Sequence, residues 1–175
     1  MGNLSPHFSE YEFRCKCGCN AFIKNTELVN MLEKLYTAMN AKEIIITSGT
    51  RCPNHSLTVG GSITDAHTKG IAADIRVIKK NGQAYSAPTI AREAEKIGFT
   101  GIGIIDNYHC HVDIRNLNNY INGHWFGDER TKNDYIDTFA NMGESIYYET
   151  TKHKLQTVVY LDGKKVFDKS EEIQL

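Results

Sequence analysis

TDAHTKGIAADI, Thr64 to Ile75, is the stretch on which the fold turns. It carries His67 and Asp74, and Gly70 and the small pair Ala72-Ala73 lie between them. The stretch is polar up to Lys69 and apolar after Gly70, so a loop becomes a strand there. GIAADIRVI (70–78) reads as that strand. Side chains alternate faces along a strand. Asp74 therefore projects with Ala72 and Arg76, and Ile75 projects the other way. A carboxylate in an apolar strand needs a partner, because an unpaired buried charge is costly.

A second stretch, YHCHVDI (108–114), offers partners. As a strand it puts His109, His111 and Asp113 on one face, with Cys110 and Val112 on the other. A loop histidine (His67), a strand carboxylate (Asp74) and a strand histidine can converge if the two strands are neighbours. Three nitrogen and oxygen ligands with an open fourth position are what catalytic zinc requires. On this reading Gly70 lets the backbone curl between His67 and Asp74, and the alanines leave space around the ion.

The bulk numbers set the class. A chain of 175 residues, 41% hydrophobic and 23% charged, is that of a soluble globular protein. The net charge of −1 gives no electrostatic case for nucleic acid or an anionic membrane. No apolar run approaches the roughly 18 residues of a membrane-spanning helix. MGNLSPHFSEYEF (1–13) lacks the basic start and apolar core of a secretory signal. Pro6 stands where a myristoylation motif wants Ser or Thr. The expectation is a monomer made in the cytoplasm without its own export signal, with no nucleic-acid or membrane partner.

Outward from the central stretch, NTELVNMLEKLYTAMN (25–40) sets Leu28, Leu32, Leu35 and Met39 on one helical face, capped by Asn25 or Thr26. EIIITS (43–48) is a buried strand. GTRCPNHSLTVGGSITDAH (49–67) reads as a long loop, and loops of that length are usually functional. APTIAREAEKIG (87–98) is a helix capped by Ser86 and stopped at Gly98. GIGII (101–105) and HCHVDIR (109–115) are strands joined by a turn at Asp106-Asn107. Residues 1–24 read as irregular. The main unit, 1–125, closes near Trp125. Residues 126–175 form a β-rich extension in which Asp162-Gly163 makes a type I′ hairpin turn. So short an extension is marginal as an independent domain and is expected to pack on the main sheet.

The five cysteines are Cys15, Cys17, Cys19, Cys52 and Cys110. An odd count does not read as a secreted disulfide framework. RCKCGC (14–19) crowds three thiols together. A zinc clip completed by Cys52 is one reading, but C-x-C-x-C lacks the usual C-x2-4-C knuckle spacing. Buried free thiols, or one redox-dependent bridge, are the expectation.

Taken in order, these motifs resemble the zinc D-Ala-D-Ala carboxypeptidase family, in the branch common among bacteriophage and bacterial cell-wall enzymes. Members share S-x-H-x-x-G-x-A-x-D, here DAHTKGIAAD (65–74), and a later H-[VI]-D strand, here HVD (111–113). FRCKCGC (13–19), IIITSGTRCPNH (44–55) and IGFTGIGI (97–104) fit as flanks, so the resemblance runs over residues 8–125. It implies one zinc ion held by His67, Asp74 and His111. It implies a peptidoglycan stem peptide as substrate, cut at or near a terminal D-Ala by a carboxypeptidase or endopeptidase. Arg51 is the implied clamp for the substrate carboxylate; its fork matches two oxygens, and such forks also serve as structural salt bridges. The implied fold is α+β, a small central, mainly antiparallel sheet with helices packed on it, as in hedgehog signalling domains and vancomycin-resistance D,D-dipeptidases.

Two departures matter. Asp65 replaces the motif serine, to bind a substrate amine or to cap its loop. Tyr108 stands where several relatives carry an acid three places before the last histidine, and a phenol with a pKa of about 10 is no base near neutral pH. The general base is then expected to be Asp106 in the preceding turn, with His109 as electrostatic assistant; His109, whose ordinary pKa is about 6.5, and Asp113 are the alternatives. Hedgehog domains show a similar H-x-H pair. Asp113 suits an outer partner that orients His111. The missing acid keeps a second reading open: a non-catalytic, metal-stabilised binding or adaptor domain of the same fold.

Overall fold

The computed structural model of the chain describes residues 2–116 and 124–140, and the backbone of three further strands at 147–151, 154–161 and 164–171. It divides into two compact units, Met1–Ala140 and Asn141–Leu175.

The first unit is α+β. Its helices are α1 (Glu10–Phe13), α2 (Thr26–Ala38), α3 (Pro53–Thr58) and α4 (Ala87–Ile97). Its strands are β1 (Glu43–Ser48), β2 (Ala72–Ile78), β3 (Gly101–Ile104), β4 (His109–Asp113) and β5 (Trp125–Asp128), in the order β1-β2-β4-β3-β5. The pairs β1–β2, β2–β4 and β3–β4 are antiparallel and β3–β5 is parallel, so the sheet is mixed.

Local signals account for the longer elements. The Asn25 side chain accepts from the Leu28 N–H at 3.0 Å, satisfying one of the free amides at the start of α2. Gly98 ends α4 at φ 100°, and its N–H reaches the Ala94 carbonyl at 3.1 Å. A left-handed residue there is cheap only for glycine. Two short helices depart from expectation. α1 lies in the stretch read as irregular, and α3 lies inside the long loop. The start of α3 does have a sequence signal: Pro53 occupies the first turn and the Cys52 side chain accepts from the His55 N–H. β5 has no such signal. It is four residues long, contains Gly127, and exists because it pairs with a distant strand.

Alternation gives the sheet two different faces. Ile75, Val77, Ile102, Ile104, Cys110 and Val112 are fully buried on one of them. α4 packs against β3 and β4, and α2 packs against α4, closing the core with Leu32, Leu35, Ile90 and Ala94. Burial of an aliphatic side chain of this size stabilises by about 1.5–3 kcal/mol. This face holds the fold together and leaves the other to carry polar groups.

The second unit is a three-stranded antiparallel meander of β6 (Tyr147–Thr151), β7 (Lys154–Leu161) and β8 (Lys164–Glu171). Leu161 pairs with Lys164 across the expected hairpin. The turn residues themselves, Asp162 and Gly163, lie outside the described residues. Among the described residues, no helix is long and apolar enough to cross a membrane.

Candidate metal centre

The register of β2 against β4 places Asp74 opposite His111, Arg76 opposite His109 and Ala72 opposite Asp113. Directly opposed residues on one face bring their side chains into contact. His67 arrives from the preceding loop. Its Nδ1 lies 2.8 Å from the Gly49 carbonyl, and its own carbonyl accepts from the Gly70 N–H at 3.1 Å. Gly70 has φ 68°, and a Cβ there would fall 2.5 Å from Cβ of Ile23. The turn therefore requires glycine for its conformation and for its packing.

The three side chains meet. His67 Nε2 lies 3.1 Å from His111 Nδ1 and 3.2 Å from Asp74 Oδ1, and His111 Nδ1 lies 2.9 Å from the same oxygen. Their ligand atoms all fall within 4.8 Å of one another, in a largely buried setting. The far side of each ring assigns its tautomer. His67 Nδ1 faces a carbonyl acceptor and so carries the hydrogen. His111 Nε2 faces Oδ2 of Asp113 at 2.9 Å and carries the hydrogen there. The two inward nitrogens then present lone pairs to each other and to a carboxylate oxygen. Only a proton or a cation satisfies that arrangement, and two imidazoles with one carboxylate are a donor set that zinc takes.

The electrostatics agree. Burial pulls the His111 pKa down, but the bonds to Asp113 and Asp74 outweigh it and raise the pKa to about 9. Burial pushes Asp74 up, yet His111 and His67 hold it far below the usual carboxylate range. Asp113 is fully buried and also held low, by His111 and Arg115. Arg115 reaches it with Nε at 2.8 Å and Nη2 at 2.5 Å.

The other expected residues are placed as follows. Arg51 pairs through Nη2 with Asp74 Oδ2, and its Nε donates to Ser48 Oγ at 2.9 Å. Asp65 caps its own loop: it accepts from Ser56 Oγ and from the N–H of Thr68 at 2.8 Å. Asp106 Oδ1 accepts from the N–H groups of Tyr108 and His109, both at 2.8 Å, and its Oδ2 lies 2.8 Å from His109 Nδ1. Asp106 and His109 thus form a pair at the β3–β4 turn. Neither is hydrogen-bonded to His67, Asp74 or His111. Tyr108 is partly exposed, with the Arg76 guanidinium 5.9 Å from its ring centroid.

Three residues near the centre escape the sequence reading. Arg76 makes no ion pair among the described residues, and its buried Nε has no hydrogen-bond partner. Arg115 holds Asp113; the same strand alternation that groups 109, 111 and 113 points to it. Trp125 sets its ring 6.1 Å from that of His111, with the Arg115 guanidinium 5.1 Å over it. It rests above Gly103, where a Cβ would come 3.0 Å from the indole. Its position depends on the parallel β3–β5 pairing, which no local pattern announces.

The fold and this donor set define a class: an α+β protein built around a two-histidine, one-carboxylate centre of the kind that metallohydrolases use. A family model described as Peptidase M15 matches residues 6–113, more than half of the 175-residue chain. The chain belongs to the peptidase M15 family, a family of zinc-dependent metallopeptidases. No curated protein matches the chain.

Proposed function

We propose that the chain is a zinc peptidase that cleaves peptidoglycan stem peptides at or near a terminal D-Ala, as a D-Ala-D-Ala carboxypeptidase or a murein endopeptidase. The convergence of His67, Asp74 and His111 within 4.8 Å, inside the matched family region, carries this reading. These three residues would hold the ion. Zinc, when bound, supplies Lewis-acid polarisation of the scissile carbonyl and activates water for attack. Asp113 fixes the His111 ring so that Nδ1 points inward. Asp106, paired with His109, takes the proton of the attacking water, and His109 supports the developing negative charge. The Arg51 guanidinium binds the C-terminal carboxylate of the peptide with the edge not used on Asp74. The Trp125 ring, 6.1 Å from that of His111, flanks the ligand set. The protein acts as a monomer on the cell wall and binds neither nucleic acid nor membrane.

Digestion of purified muropeptides by the zinc-loaded chain, with products weighed by mass spectrometry, tests the reading. Loss of a single alanine marks carboxypeptidase action, and conversion of cross-linked dimers to monomers marks endopeptidase action. A zinc-loaded chain that releases neither product supports a metal-stabilised binding or adaptor domain, the reading that Tyr108 at the acid position favours.

A further inference from the structure

We propose that Cys15, Cys17, Cys19 and Cys52 form a second metal site, a four-sulfur clip for a soft divalent cation of the zinc class. The four sulfurs all lie within 4.8 Å of one another. Cys17 Sγ is 3.4 Å from Cys15 Sγ and 3.7 Å from Cys52 Sγ. Tetrahedral metal–sulfur bonds of about 2.3 Å place ligand sulfurs roughly 3.8 Å apart. A disulfide needs about 2.05 Å. The spacing is that of ligands around a common centre. It is not that of bonded pairs, and Cys17 and Cys19 are exposed rather than buried.

The local backbone is shaped for this. Gly18 turns the chain at φ 88° between Cys17 and Cys19. The Cys15 N–H closes the loop on the Ala21 carbonyl at 2.9 Å. Two backbone amides point at sulfur: Cys52 N–H to Cys15 Sγ and His55 N–H to Cys52 Sγ, both 3.4 Å. Such donors favour thiolate over thiol, and outer hydrogen bonds of this kind orient metal ligands. Cys15 is buried, Cys52 is half-buried, and Cys17 and Cys19 lie open, so an ion can enter from solvent. The fourth ligand comes from the start of α3, which is why the C-x-C-x-C run by itself lacks a knuckle spacing.

The clip fastens residues 15–19 to the loop that serves the peptidase centre. Cys52 adjoins Arg51, the partner of Asp74. The Thr50 N–H donates to the Phe13 carbonyl at 2.8 Å, and a Cβ on Gly49 would fall 2.6 Å from Phe13 Cα. Gly49 in turn supplies the carbonyl that orients His67. The sulfur site thus acts as a brace under the catalytic loop and stands independently of the peptidase reading.

The test compares the full-length chain with a His67→Ala/His111→Ala variant, both purified under reductant. Elemental analysis is expected to find about two metal ions per chain in the first and about one in the second, as one ion per four-ligand site requires. Cobalt substitution of the double variant is expected to produce sulfur-to-cobalt charge-transfer bands. Its four clip thiols should resist alkylation until a chelator is added. Cys52→Ser on the same background is expected to remove the ion and the bands; if that variant fails to fold, the cobalt spectrum of the double variant decides. A double variant with no metal and freely alkylated thiols, or a mass showing a disulfide in place of metal, overturns the proposal. About one ion in both chains, with the cobalt–sulfur bands present, faults the histidine centre and leaves the sulfur site standing.

Discussion

Nε2 of His111 lies 2.9 Å from Oδ2 of Asp113, two places further along the same strand. The carboxylate is fully buried, held from behind by Arg115, and sits against Gly101, where any Cβ would overlap it. Asp113→Asn keeps the shape and loses the charge. It is expected to weaken metal affinity by about 10–100-fold, the usual cost of losing an outer partner, as read by chelator competition. Gly101→Ala is expected to do the same indirectly and to cost about 1–3 kcal/mol of stability through overpacking. A Gly101→Ala protein with unchanged melting and unchanged metal affinity would show that the carboxylate has room to move.

The ligand set has its own test. His67→Ala and His111→Ala are each expected to empty the histidine centre, and Asp74→Asn to weaken metal binding and turnover together, because the amide keeps an oxygen without the charge that offsets the cation. Full occupancy of that centre in both histidine variants ends the assignment. Asp74→Asn with unchanged binding and turnover would leave the carboxylate a structural role through Arg51.

The carboxylate clamp proposed for Arg51 is tested by substitution. Arg51→Lys is expected to raise KM for peptides with a free C-terminus far more than for amidated ones, since lysine keeps the charge and loses the fork. Arg51 also clamps Asp74, so metal content is measured alongside. Equal effects on both substrates reduce Arg51 to that clamp. If Arg76→Lys instead shows the selective KM effect, the clamp for substrate is Arg76.

Asp106→Asn is expected to lower kcat by roughly 10²–10⁴-fold, the scale of a lost general base, with metal content unchanged. His109→Ala is expected to cost less. The opposite ranking moves the base to His109. Near-normal turnover in both variants assigns the base to neither.

The centre also predicts a pH dependence. In chelator-treated protein the His111 pKa is raised from about 6.5 to about 9. Its contribution is therefore fully present below about pH 6.5 and is lost as the pH rises through about 9. Asp74 and Asp113 are shifted down, so theirs is present above the ordinary carboxylate range and lost on acidification. If His111 binds zinc, it does so as a neutral ligand, and the alkaline loss is expected to disappear on loading. Melting temperatures of chelated and loaded protein are expected to diverge as the pH rises from about 6.5 to 9. Parallel curves would mean that His111 is not a ligand.

What the sequence by itself determined about this protein is local. Helix α2 with its Asn25 cap, α4 with its Gly98 stop, and strands β1, β2 and β4 follow from periodicity and end signals. Each such signal lies within a few residues of the element it defines. The same period of two places Asp74 beside Arg76, and His111 beside His109 and Asp113, so the facing of the candidate ligands is legible before any fold is known. Tertiary structure alone decided which elements became neighbours. The β2–β4 register put Asp74 against His111 rather than one residue away. The parallel β3–β5 pair brought Trp125 over Gly103. Packing of the N-terminal segment on residues 49–52 gathered Cys15, Cys17 and Cys19 around Cys52. The direction of a side chain along a helix or strand is set by that element's own geometry. Proximity between elements is set by the joint burial of apolar faces and by hydrogen bonds between segments far apart in the chain, and no local period records those.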